Sequence, residues 1–197
     1  ASEIVERFPV GEVIIPEIPV EFLPTTSLYE DFLRSLSRKD CSVSYSETGK
    51  VFELGGGAIL EIIGPEGYSG DNLNNYSVIS KLTFGETSFL FTGDAEASAE
   101  AAVMLENKEA LNADVLKVAH HGSATSSTDA FLSAVTPTLA VISCGPYNEF
   151  GHPHSSVLDR LSSHTPHIFR TDELGSIRIY SDGETLLVQS DRTLTNE

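Results

Sequence analysis

The sequence predicts an α/β fold, and three observations carry that prediction. Short apolar runs alternate with amphipathic stretches along the whole chain. Breaks rich in Gly, Pro, Asn and Asp separate them. From residue 76 onward the order reads β-β-α-β-α-β-α-β-β-β, the pattern of a sheet covered by helices that carries its ligands at strand ends.

Taken in order, the first residues read as helix, and 11–16 (GEVIIP) as a strand stopped by proline. Residues 27–40 read as a helix with Ser27 as N-cap and Leu28, Phe32, Leu33 and Leu36 on one face. Three short strands are expected in 41–65, broken at Thr48-Gly49 and at Gly55-Gly56-Gly57. Residues 76–94 read as a hairpin turning near Gly85-Glu86, with Val78, Ser80, Leu82 and Phe84 on one face. The Ala- and Glu-rich stretch 95–111 is the clearest helix. A strand at 114–119, a helix at 126–137 ended by Pro137, a strand at 138–144 and a helix at 155–164 follow. Residues 167–189 close the chain with strands around Gly175 and Asp182-Gly183.

At 197 residues the chain is read as one domain. Its 29 acidic and 12 basic residues give a formal charge of −17. A surface of that sign repels a phosphate backbone, so any nucleic-acid contact needs local positive charge, from Lys117 and Arg170 or from bound metal. No run approaches the roughly 18 apolar residues that span a bilayer, and the start carries no signal-peptide pattern. Cys41 and Cys144 stand in no metal-like spacing and are read as two free thiols.

The candidate chemistry lies at strand ends. Asp94 ends "SFLFTGD" just before a helix, where it is either an N-cap or a cation ligand. His120 and His121 end the next strand, either as polar loop residues or as imidazole ligands. In a parallel sheet these two ends lie side by side. A third strand precedes "GPYNEFGHPH" and brings His152 and His154 to the same edge. Ser123, Ser126 and Ser127 follow the histidine pair without a G-x-S-x-G elbow, which argues against a serine nucleophile. Asn74 and Asn75, before a strand, offer amides to a polar site or form a turn. His164 and His167 belong to no motif and are read as surface residues.

Five ordered words, "NNYSVISKLTFGETSFLFTGDAE", "ADVLKVAHHGSATSS", "LAVISCG", "GHPH" and "RTDELGSI", resemble the metallo-β-lactamase superfamily. More closely they resemble the β-lactamase-like domain at the C-terminal end of ComEC-type competence proteins, and "ERFPVGEVIIP" resembles the segment after that family's first metal motif. The resemblance implies a four-layer αββα sandwich with one or two divalent ions, Zn or Mn, between its sheets. It implies that Asp94 bridges the ions and that His120 is a ligand. His121 and His152 are then expected to handle protons or contact substrate, and Asn75, Ser77, Ser123 and His154 to line the substrate site. Asn74, Asn75 and Ser77 stand where many superfamily members have another histidine ligand. The family's H-x-H-x-D-H motif does not occur in these 197 residues. The expectation is therefore a chain whose remaining ligands precede Ala1, with no metal bound by this stretch alone.

The implied function is metal-dependent hydrolysis, by a hydroxide generated on the ions, of a phosphodiester in DNA during DNA uptake. The chain is then expected to be a piece of a larger membrane protein. A small ester, lactone or phosphocholine-type substrate is the alternative within the superfamily. An inactive binding domain is the alternative outside it.

Overall fold

The computed structural model describes residues 1–66, 68 and 70–192. They fall into two compact units, Ala1–Ser46 and Glu47–Glu197. In the first, helix α1 (Ser2–Arg7), strand β1 (Glu12–Ile15), helix α2 (Ser27–Arg38) and strand β2 (Ser42–Tyr45) follow one another. β1 and β2 pair in parallel as a two-stranded sheet. The α2 cap is Thr26, whose hydroxyl accepts from Tyr29 N, rather than the expected Ser27. The predicted apolar face also divides. Leu36 is buried, whereas Leu28 and Leu33 are exposed; within this unit α2 packs against α1.

The second unit holds one seven-stranded sheet in the order β3-β4-β5-β6-β7-β8-β9. Strands β3 (Val51–Gly55), β4 (Ala58–Gly64), β5 (Ile79–Phe84) and β6 (Thr87–Phe91) run antiparallel in sequence. Strands β7 (Val115–Lys117), β8 (Leu139–Ile142) and β9 (His167–Arg170) then add in parallel beside β6. Helices α3 (Ala97–Asn107), α4 (Asp129–Val135) and α5 (Ser155–His164) form the crossovers. A single-turn α6 (Thr171–Leu174) leads into the antiparallel hairpin of β10 (Ile177–Ser181) and β11 (Leu186–Ser190).

Strand periodicity sorts the residues. Leu90, Leu116 and Ala140 are register neighbours and fully buried, in one core with Val103 of α3, Phe131 and Leu132 of α4 and Leu161 of α5. Phe91, Lys117 and Val141 are the neighbours on the opposite face. There Leu82, Phe89 and Ile179 help line an apolar cavity of about 350 Å³. This unit thus contributes one helical layer and one sheet of an α/β sandwich.

The predicted strand at 114–119 is shorter, because the chain turns after Lys117. The helix expected at 126–137 begins only at Asp129, capped by Thr128. Ser126 stays outside it, buried, with its hydroxyl donating to the Ala119 and Ser123 carbonyls. Both cysteines are free thiols. No helix among the described residues is long and apolar enough to cross a membrane.

Candidate active site

The parallel register of β6, β7 and β8 places three C-terminal strand ends side by side. The segments that leave them carry Asp94, then His120 and His121, then His152 and His154.

Asp94 sits on a turn fastened from below. Its backbone N–H donates to Ser77 Oγ at 3.0 Å. Gly93 has φ +54°, and a Cβ there would lie 2.9 Å from the Ser77 side chain. Only glycine permits that approach without displacing Ser77. Thr92 ties the same turn to β7 by donating to the Lys117 carbonyl.

His120 and His121 occupy consecutive left-handed conformations, φ 47° and 56°. Such strained backbone in non-glycine residues persists where the surroundings enforce it, often at functional sites. Here His120 N donates to the Gly93 carbonyl. Gly122, φ +83°, packs so tightly on Pro153 that a Cβ would lie 2.6 Å away. His154 N donates to the Gly122 carbonyl, joining the two loops.

The two imidazoles have different neighbours. His121 Nδ1 lies 2.6 Å from the Ser143 carbonyl, which only accepts, so this nitrogen carries the proton. In neutral His121 the bare Nε2 then faces Asp94 Oδ1 at 3.4 Å. Two lone pairs that face each other repel, and a cation shared between them would relieve that repulsion. His120 Nδ1 lies 3.2 Å from Glu96 Oε1. The ring is not aligned for a hydrogen bond there, and this buried nitrogen makes none among the described residues. A small rotation of the ring would bring an Nδ1–H into line with Oε1.

His152 is the hub of the ring contacts. Its centroid lies 5.5 Å from His120, 5.3 Å from His154 and 5.6 Å from the stacked Phe150. His121 stacks on it at 6.5 Å. Burial, then the neighbouring His120, His154 and His121, hold the His152 pKa below the usual imidazole value, against the pull of Asp94. His152 is therefore a neutral base at pH 7. Asn148 staples its loop by donating to the Gly145 and His152 carbonyls and accepting from His152 N.

The residues expected to line a substrate site take up other tasks. Asn75 is 3% exposed, and its amide oxygen accepts from Glu96 N and Ala99 N. It caps α3 and does not offer its amide to the site. Ser77 holds the Asp94 backbone. Ser123 is buried and pairs with the Thr125 hydroxyl. His154 stands at the N-cap of α5 without a side-chain cap bond. His164 contacts Asp129 at 3.3 Å, and His167 lies on β9; neither is among the ring contacts around His152.

The expected local positive charge is only partly present. Arg170 is engaged by Asp172 at 2.6 Å and Glu173 at 2.7 Å. Lys117 donates to the Val118 carbonyl, and burial draws its pKa down against the opposing fields of Asp94 and Cys144.

Glu96 was not singled out from the sequence. Its Oε1 accepts from Asn74 Nδ2 at 2.8 Å and its Oε2 from Asn72 Nδ2 at 3.0 Å. Two residues beyond Asp94 it read as ordinary helix composition, and its partners lie 22 and 24 residues away in sequence.

A profile of the metallo-beta-lactamase superfamily matches residues 1–145. The chain belongs to the metallo-beta-lactamase superfamily. It is 38% identical over 119 residues to ComE operon protein 3 of Bacillus subtilis, covering 60% of this chain and 15% of that protein. It is 33% identical over 156 residues to Recombination protein 2 of Haemophilus influenzae, covering 76% of this chain and 19% of that protein. It is 33% identical over 122 residues to Competence protein ComA of Neisseria gonorrhoeae, covering 62% and 18%. The chain thus spans a fifth or less of the length of these curated relatives.

Superfamily members are generally hydrolases that bind divalent metals. The donor set here fits such an ion in kind: one carboxylate and imidazoles, of which His121 keeps its Nδ1 on the Ser143 carbonyl and leaves Nε2 bare. It does not close around one, since no group of three or more His, Cys, Asp or Glu side chains among the described residues is arranged to hold a metal.

Proposed function

We propose that this chain contributes to a metal-dependent hydrolase acting on phosphodiesters of DNA during DNA uptake, a setting that the name of one relative, Competence protein ComA, supports. The observation that supports this most is the meeting of Asp94 with the imidazole Nε2 of His121 at adjacent parallel strand ends, beside His120 and His152.

Asp94, His120 and His121 would supply ligand atoms. A divalent ion held there supplies a water nucleophile at neutral pH and neutralises charge on the displaced oxygen. The chain's own residues do the rest. Ser77 and Gly93 fix the direction of Asp94. The Ser143 carbonyl fixes the His121 ring, so its Nε2 cannot donate unless the ring becomes charged. His152, neutral at pH 7, can accept a proton or a hydrogen bond from substrate at the rim. The charge of −17 works against a polyanion, so neutralisation at the site has to offset it.

The lack of a three-ligand group among the described residues favours a second reading, a binding domain without catalysis. Hydrolysis of single-stranded DNA with added Mn²⁺ or Zn²⁺ separates the two. It is measured for the chain alone and joined to any residues encoded upstream of Ala1. Activity that disappears on Asp94→Ala is expected for the hydrolase. No hydrolysis by either form, or equal activity in the variant, would overturn it.

A further inference from the structure

The Glu96 carboxylate is held by two asparagine amides, Asn74 on Oε1 and Asn72 on Oε2. Its side chain is 16% exposed and its Oε1 lies 3.2 Å from His120 Nδ1, a buried ring nitrogen that makes no hydrogen bond among the described residues. Both amides come from the turn that precedes β5. Asn72 itself is held, since its Oδ1 accepts from Asn74 N. Asn75 clamps the Glu96 backbone through its N–H. A carboxylate so anchored has little freedom to turn away from the ring.

We propose that Glu96 is a positioning residue, which with Asn72 and Asn74 locks His120 in the Nδ1–H form and turns a bare Nε2 toward the site. A carboxylate only accepts, so it stabilises the tautomer whose proton lies between them. The nitrogen that carries the proton decides which nitrogen is left to bind a metal or accept a proton. The Ser143 carbonyl does the same for His121, so two successive imidazoles present the same nitrogen.

This inference uses the proposed metal site only to say what the bare nitrogen is for, and its test needs neither metal nor turnover. In the ¹⁵N-labelled chain at pH 8 the ring nitrogens of neutral histidines are resolved by long-range ¹H–¹⁵N correlation. His120 is expected to show a protonated Nδ1 and an unprotonated Nε2. Glu96→Gln is expected to keep that form. Its amide oxygen best remains between Asn74 and His120, and only the Asn72 bond is lost. Glu96→Ala is expected to convert His120 to a mixture of tautomers while His121 stays Nδ1–H. A wild-type His120 protonated on Nε2 overturns the proposal whatever the variants do, and so does a Glu96→Ala spectrum unchanged at His120. Absent DNA hydrolysis alongside the expected tautomers would count against the hydrolase reading alone.

Discussion

Replacing Asn75 with alanine tests how the site is braced. The N-cap residue of α3, Glu96, makes no side-chain cap bond of its own. Asn75 supplies the cap from outside the helix, accepting from Glu96 N at 3.1 Å and Ala99 N at 3.2 Å. Asn75 is 3% exposed and Ala99 fully buried, so water cannot replace both bonds in Asn75→Ala. Loss of a cap costs about 1 kcal/mol, and a buried donor left without a partner about 1–3 kcal/mol. The two overlap, and a combined loss of about 3 kcal/mol is expected, a large part of the roughly 5–15 kcal/mol that holds a domain together. For a unit of this size that lowers Tm by about 6–12 °C. Urea unfolding and amide exchange measure it, with the Glu96 and Ala99 amides losing protection first. Asn75→Asp keeps the acceptor oxygen for both bonds and is expected to recover most of the loss. A loss under about 1 kcal/mol for Asn75→Ala, with those two amides still protected, refutes the capping role.

Two further outcomes follow from titration. Burial, with the Asp172 carboxylate adding to it, pushes the Cys144 thiol up to about 11. At pH 8 only roughly a thousandth is thiolate, so alkylation of Cys144 should be slow and rise about tenfold per pH unit toward pH 10; rapid, pH-independent labelling contradicts this. His152 has a folded pKa below its ordinary 6.5. The unfolded chain therefore takes up the proton first as pH falls. Stability from this group is complete above about pH 6.5 and declines below it, toward the lowered folded pKa. His152→Gln should flatten that part of the stability profile, and an identical profile rules the shift out.

The strand-end convergence was legible in the sequence because it depends only on element order. Apolar runs ending at Asp94, at His120 and before His152 become neighbours once β6, β7 and β8 pair in parallel. The family was legible for the same reason, as ordered words over most of the chain. Side-chain direction was not. The resemblance favours His120 as the ligand, yet the left-handed turn brings His121 to Asp94 and His120 to Glu96. No local pattern announces two successive residues at positive φ. Asn75 and Ser77 looked like polar groups available to substrate, whereas their partners, Glu96 N, Ala99 N and Asp94 N, are 17 to 24 residues away. In α2, periodicity marked the apolar positions but not which of them find a covering layer.

Paramagnetic broadening tests most directly whether a divalent cation sits at these strand ends. Mn²⁺ is added to the ¹⁵N-histidine-labelled chain, alone and joined to any residues encoded upstream of Ala1. The ring signals of His120, His121 and His152 should broaden before those of His164 and His167, and Asp94→Ala should abolish the difference. Uniform broadening of all six histidines, or selective broadening that survives Asp94→Ala, contradicts a metal centre built on Asp94.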